Sequence, residues 1–142
     1  MKEVHRRFEY HGAEHTTVAC YEAGEELTVE NIRRHSRFHP RCGTSFLFLV
    51  ILIGIVLYAI LPWESTALRV LYKLALLPVL VGVSYEVIKW AGRSNSLLAR
   101  AVSRPGLWLQ RLTTFEPDDS MIEVAIAAVT PVLPDRPEDG AW

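Results

Sequence analysis

Gly43-Thr-Ser-Phe-Leu-Phe-Leu-Val-Ile-Leu-Ile-Gly-Ile-Val-Leu-Tyr-Ala-Ile-Leu-Pro-Trp63 is the stretch whose reading decides the fold. It holds 21 residues and no ionisable side chain except Tyr58. A helix rises about 1.5 Å per residue, so about 20 such residues cross a hydrocarbon core about 30 Å thick. A helix that is apolar on every face needs apolar surroundings on every face. The whole chain has 142 residues, which leaves little protein to supply them. Residues 43–63 are therefore expected to form a first transmembrane helix, with Trp63 at an interface.

A second hydrophobic segment follows over 68–91. Its uncharged run, Leu74 to Tyr85, has only 12 residues. A spanning helix needs Arg69 and Lys73 to snorkel at one end, with Lys89 and Trp90 marking the other. A second transmembrane helix is the expectation, and a re-entrant or interfacial segment is the alternative. Pro78 would kink it. Arg33, Arg34, Arg37 and Arg41 precede the first span, and Lys89, Arg93, Arg100 and Arg104 follow the second. Positive flanks face the cytoplasm, so the pattern reads as a hairpin with both termini cytoplasmic.

The flanking sequence is polar. Residues 1–42 read as a cytoplasmic juxtamembrane segment. A short helix could start at Phe8 and run toward Cys20, or Thr16 to Tyr21 could form a strand. Thr28 reads as the N-cap of a helix over 29–37. Residues 92–130 read as a cytoplasmic helical segment. There Leu107, Trp108, Leu109 and Leu112 either lie at the membrane surface beside Arg104 and Arg111 or pack on the juxtamembrane segment. Ser120 with Glu123 makes a capping-box pattern for a helix to about Val129. Pro131, Pro134 and Pro137 mark 131–142 as a disordered tail. The expected fold class is mainly α: a transmembrane helical hairpin with a small cytoplasmic juxtamembrane α(+β) layer.

Composition excludes several functions. Net charge is −1, so no basic excess points to nucleic acid. Met1 to Arg7 leads into polar sequence rather than an apolar core, so no signal peptide is expected. Two cysteines, Cys20 and Cys42, do not make a disulfide framework and suit a reducing compartment or a metal site. There is no glycine-rich phosphate loop and no G-x-S-x-G. Ser84, Ser45 and Thr44 read as helix residues bonded to their own backbone.

The chemistry-bearing pattern is His11-Gly-Ala-Glu14-His15. Histidines four apart share one helix face and can reach one metal ion. A glutamate beside a ligand can take a proton from metal-bound water, as in the inverted zinc-peptidase motif. A chain of this composition carries the full pattern by chance roughly 0.015 times, so it stands above noise. Glu22, His35, His39 and Cys42 are candidates for the third ligand, and His39-x-x-Cys42 has a ligand spacing of its own. Glu86, at the cytoplasmic end of the second span, is either functional or paired with Lys89.

Several separated motifs carry a resemblance. They are Tyr10-His-Gly-Ala-Glu-His15, Cys20-Tyr-Glu22, Leu27-Thr-Val-Glu-Asn31, Ser36-Arg-Phe-His-Pro-Arg-Cys-Gly-Thr-Ser45, Gly106-Leu-Trp-Leu-Gln-Arg-Leu-Thr-Thr114 and Glu116-Pro-Asp-Asp-Ser120. In this order they resemble the YqhQ-like bacterial membrane proteins, a family of unknown function often labelled a predicted metal-dependent enzyme. The resemblance implies site positions at His11, Glu14, His15, Glu22, His39, Cys42, Glu86 and Asp118. Family members usually have a lysine where this chain has Thr16 and a basic residue where it has Phe115. They usually also carry an upstream half with further hydrophobic segments, so a fragment or a truncated relative is expected.

Together these readings give a multi-pass protein of the bacterial inner membrane. Its partners would be the lipid bilayer and a protein partner or the missing upstream half, with no nucleic acid. Its cofactor would be zinc or another divalent metal on His11 and His15, with His39, Glu22 and Cys42 as further ligands. Glu14 would serve as the base of a hydrolase. The rival reading is a non-enzymatic scaffold whose His, Glu and Arg cluster is structural.

Overall fold

The computed structural model describes residues 2–62, 65–94 and 96–134. Its elements in order are α1 (Lys2–Glu22), α2 (Val29–Ile32), α3 (Gly43–Ala59), α4 (Thr66–Arg93), α5 (Leu97–Thr113) and α6 (Asp119–Val129), closed by a 3-10 turn at Thr130–Val132. The fold is mainly helical, and there is no strand among the described residues. The strand option at Thr16–Tyr21 therefore falls. Thr16 sends its hydroxyl back to the carbonyls of Gly12 and Ala13, 3.1 and 3.0 Å away, and so stays inside the helix. Ala13 and Cys20, seven residues apart on one face of α1, are buried.

The chain divides into two compact units. The first comprises Met1–His39 and Leu107–Trp142. Its core joins Ala13 and Cys20 of α1, Ile32 of α2, and Met121, Ile122 and Ala125 of α6. Gly12 permits a close approach: a Cβ there would lie 2.0 Å from the carbonyl oxygen of Phe115. Thr28 caps α2 as expected, accepting from the Asn31 N–H at 3.3 Å. The helix expected over 29–37 is shorter, however. After Ile32 the bonds tighten to Arg34 N–H on the Asn31 carbonyl and His35 N–H on the Ile32 carbonyl. At α6 the cap is Asp118 rather than Ser120: its carboxylate accepts from the Met121 N–H at 3.0 Å and from the Ser120 hydroxyl at 2.6 Å. A carboxylate accepts both bonds at once, so the capping-box serine becomes a supporting donor. The expected tail at 131–142 falls largely on residues 135–142, outside the described residues.

The second unit is Pro40–Gly106. Helix α3 stops at Ala59, short of the expected 63. Pro62 explains the stop, because the residue before a proline is pushed out of the helical region. With 17 residues α3 rises about 25 Å. Helix α4 is longer than expected, with 28 residues, and runs through Pro78. Among the described residues it is the one helix long and apolar enough to cross a membrane. Gly54 of α3 lets Leu80 of α4 come close: a Cβ on Gly54 would meet Leu80 Cδ2 at 3.3 Å. Ser84 is fully buried and donates to the Leu80 carbonyl at 2.7 Å, the backbone role read for it. Lys73 is held by Tyr58, its ammonium 5.5 Å from the ring, while the Tyr58 hydroxyl donates to the Lys73 carbonyl.

Candidate metal centre

Helix α1 advances about 100° per residue, which sets His11 and His15 about 40° apart and Glu22 about 20° from His15. The three form one stripe. The first unit closes backbone carbonyls over it. His11 Nδ1 donates to the Thr113 carbonyl at 2.8 Å, and His15 Nδ1 donates to the Arg37 carbonyl at 2.5 Å. A carbonyl can only accept, so Nδ1 carries the proton in both neutral rings and Nε2 carries the lone pair. The two ring centroids lie 4.4 Å apart at an interplanar angle of 69°, and a nitrogen of one ring lies within 4.8 Å of a nitrogen of the other.

His39 completes the group. Its ring centroid is 5.9 Å from that of His15, and its Nε2 meets a Glu22 carboxylate oxygen at 3.0 Å. With Nε2 donating to Glu22, Nδ1 becomes the lone-pair nitrogen of this ring. Its backbone is clamped by the buried Gln110: the His39 N–H donates to Oε1 at 2.9 Å, and Nε2 donates to the His39 carbonyl at 2.7 Å. His15 and His39 are each only 8% exposed.

The donor chemistry fits a divalent ion. Metal-binding histidines characteristically donate their second ring nitrogen to a backbone carbonyl or carboxylate, which fixes tautomer and orientation. His11 and His15 do the former and His39 the latter. Glu14, Glu86 and Asp118 are placed differently. Glu14 is exposed, about 100° around the helix from the buried His15, and the carboxylate that meets the His39 imidazole is Glu22. Cys42 belongs to the second unit, where its sulfur caps α3 through the Thr44 N–H at 3.4 Å. Glu86 is exposed on α4, and its proposed partner Lys89 lies over the Tyr85 ring, 5.7 Å from its centre. Asp118 caps α6, and the Ser120 hydroxyl, then the Met121 N–H, hold its carboxyl below the ordinary carboxylate value.

A second group lies elsewhere in the first unit. Cys20, Glu25 and His35 each offer one ligand atom, and the three atoms lie within 4.8 Å of one another. The Cys20 Sγ–H donates to the Glu26 carbonyl at 3.6 Å, and burial, then the Glu25 charge, pushes the thiol above its ordinary value. Sequence reasoning reached His35, and Cys20 as a cysteine suited to a metal site, but not Glu25, and it gave Gln110 no part. No local spacing signals Glu25 or Gln110, because the first is placed by the turn after α1 and the second comes from a distant helix.

The comparisons with known proteins agree with the resemblance carried by the separated motifs. The model of a family described as "protein of unknown function (DUF1385)" matches residues 1–135. The chain belongs to the DUF1385 family. A relative, the uncharacterised protein YqhQ of Bacillus subtilis (strain 168), is 42% identical over 131 residues. That alignment covers 92% of this chain and 41% of the relative, so the chain spans about two-fifths of the length of the curated relative it matches. No solved structure matches.

Proposed function

We propose that this DUF1385 chain is a membrane-embedded metal-binding protein, with α3 and α4 in the bilayer as a hairpin and a divalent ion, zinc by its donor set, held by His11 and His15. The observation that carries the metal reading is the pair of Nδ1 bonds to the Thr113 and Arg37 carbonyls. They hold both rings in the tautomer whose Nε2 can ligate. Glu22 orients His39 beside them and supplies the nearby carboxylate. Zinc prefers nitrogen, sulfur and carboxylate donors in a tetrahedral set, and this group offers imidazole and carboxylate.

The bilayer reading is supported by exposure. Leu47, Ile51, Ile55, Val56 and Ile60 of the α3 region and Leu71, Leu74, Val79 and Val83 of α4 all face outward. Monomeric soluble proteins rarely expose an apolar surface of this extent. Lipid removes the penalty, and the basic flanks orient the hairpin with both termini toward the cytoplasm.

A bound divalent ion would supply Lewis acidity and lower the pKa of a coordinated water, the chemistry of a hydrolase. In that reading Glu22, held against His39 Nε2, would be the carboxylate placed to take up a proton, and Glu14 stays in solvent. Metal analysis of the purified chain tests the proposal. His11→Ala plus His15→Ala is expected to hold one equivalent less zinc than wild type, with helical circular dichroism retained. Glu22→Gln is expected to weaken binding about 10- to 100-fold. Unchanged zinc stoichiometry in the folded double variant would leave the scaffold reading standing instead.

A further inference from the structure

We propose that Cys20, Glu25 and His35 form a second divalent-cation site, separate from the histidine stripe and suited to zinc. Cys20 lies about 140° around α1 from His15, so the two groups use different faces of one helix. The local fold assembles it. Helix α1 ends at Glu22, and the chain reverses at Gly24, whose φ of 73° suits glycine. This reversal sets Glu25 beside Cys20, with the Glu25 N–H donating to the Cys20 carbonyl at 3.2 Å. The tightened turn after α2 brings His35 to the same place.

Ligand atoms around tetrahedral zinc stand about 3.3–3.8 Å apart, given bonds of about 2.0–2.3 Å. The three atoms here lie within 4.8 Å of one another. Closing the difference asks for movement of about 1 Å, of the order of the gap itself, mainly by Glu25, whose side chain is 45% exposed. Cys20 is wholly buried and need not move far.

A second observation points to a cation at this place. His35 Nε2 is shut off from solvent and has no hydrogen-bond partner, although a Glu25 carboxylate oxygen stands 3.3 Å away. A buried polar atom beside a carboxylate without hydrogen-bond geometry is costly. A metal ion between them gives both a bond. On binding, the Cys20 S–H proton passes to solvent, the sulfur donates its electron pair to the ion, and no electron is transferred. Thiolate and carboxylate together carry two negative charges, which match a dication. A water would complete the tetrahedron, and the site would tie the end of α1 to the turn after α2.

Cobalt(II) alone, added to the full chain in detergent, is the test, because thiolate ligation gives a sulfur-to-cobalt charge-transfer absorption that imidazole and carboxylate do not. The band is expected in wild type, in Cys42→Ser and in His11→Ala plus His15→Ala. It is expected to vanish in Cys20→Ser, and cobalt binding is expected to weaken about tenfold or more in His35→Ala. A wild-type protein without the band, or a band that survives Cys20→Ser or disappears with Cys42→Ser, would overturn the second site. The outcomes separate the two proposals: a band retained when the double histidine variant loses no zinc sinks the first site and keeps the second.

Discussion

Helices α1 and α4 solve opposite solvation problems. Helix α1 buries polar side chains, with His15, Thr16 and Thr17 among the least exposed residues. Helix α4 turns Leu71, Leu74, Val79 and Val83 outward. In α1 the Nδ1 atoms of His11 and of the buried His15 are matched to carbonyls from other parts of the chain. In α4 the buried hydroxyl of Ser84 is matched inside the helix itself. The contrast teaches that the first unit adds a layer of hydrogen-bonded side chains to its apolar core, while the second turns apolar side chains outward. Such a division is sensible when one unit meets water and the other meets lipid.

The largest expected effect comes from putting a charge on the apolar side of this contrast. Ile51 is 54% exposed near the middle of α3. Ile51→Asp is expected to cost about 3 kcal/mol of membrane insertion. The measurement is the fraction of protein retained in carbonate-washed membranes. Were α3 a water-facing helix, the same change would raise soluble yield, and the contrast would break.

A smaller effect compares the two glycine contacts. Gly12→Ala sets a Cβ 2.0 Å from the Phe115 carbonyl oxygen, and that backbone atom must shift. The expected loss is about 3 kcal/mol of stability, read by chemical denaturation. Gly54→Ala meets side-chain atoms alone, Leu80 at 3.3 and 3.9 Å and Tyr58 Cε2 at 3.8 Å, and is expected to cost under about 1 kcal/mol. Equal losses would show that the two units are packed alike.

The smallest effect is electrostatic and confined to the first unit. The Asp118 carboxyl is held below its ordinary value of 3.8, so its contribution is fully present above that value. It is lost as pH falls through the lowered folded-state value. Asp118→Ala is expected to lower the melting temperature by a few degrees at pH 7 and to narrow the difference from wild type toward pH 2. A gap between the two proteins that stays constant over that pH range would remove the carboxylate from the cap.

Much of the fold was legible because helix signals are local. Thr28 was read correctly as a cap, and Ser84 as a serine bonded to its own helix, since both depend on partners three or four residues away. The α6 cap was misplaced by two residues because Asp118 and Ser120 are both good caps, and only the geometry selects the carboxylate. The first apolar helix was drawn too long because hydropathy continues through Leu61, while Pro62 ends the helix earlier.

The amino-acid order alone determined which residues share a helix face: His11 and His15 on one stripe, and an apolar run with no charged flank inside it. Those follow from a fixed rotation per residue and from side-chain polarity. Tertiary structure decided everything that needed chain closure. It brought the carbonyls of Arg37 and Thr113 to the two imidazoles, across 22 and 102 residues of sequence. It gave Glu22 rather than Glu14 the position beside His39, and it gathered Cys20, Glu25 and His35. Periodicity states the face a side chain occupies, but the turn or helix that closes over that face is set by packing between segments far apart in the chain.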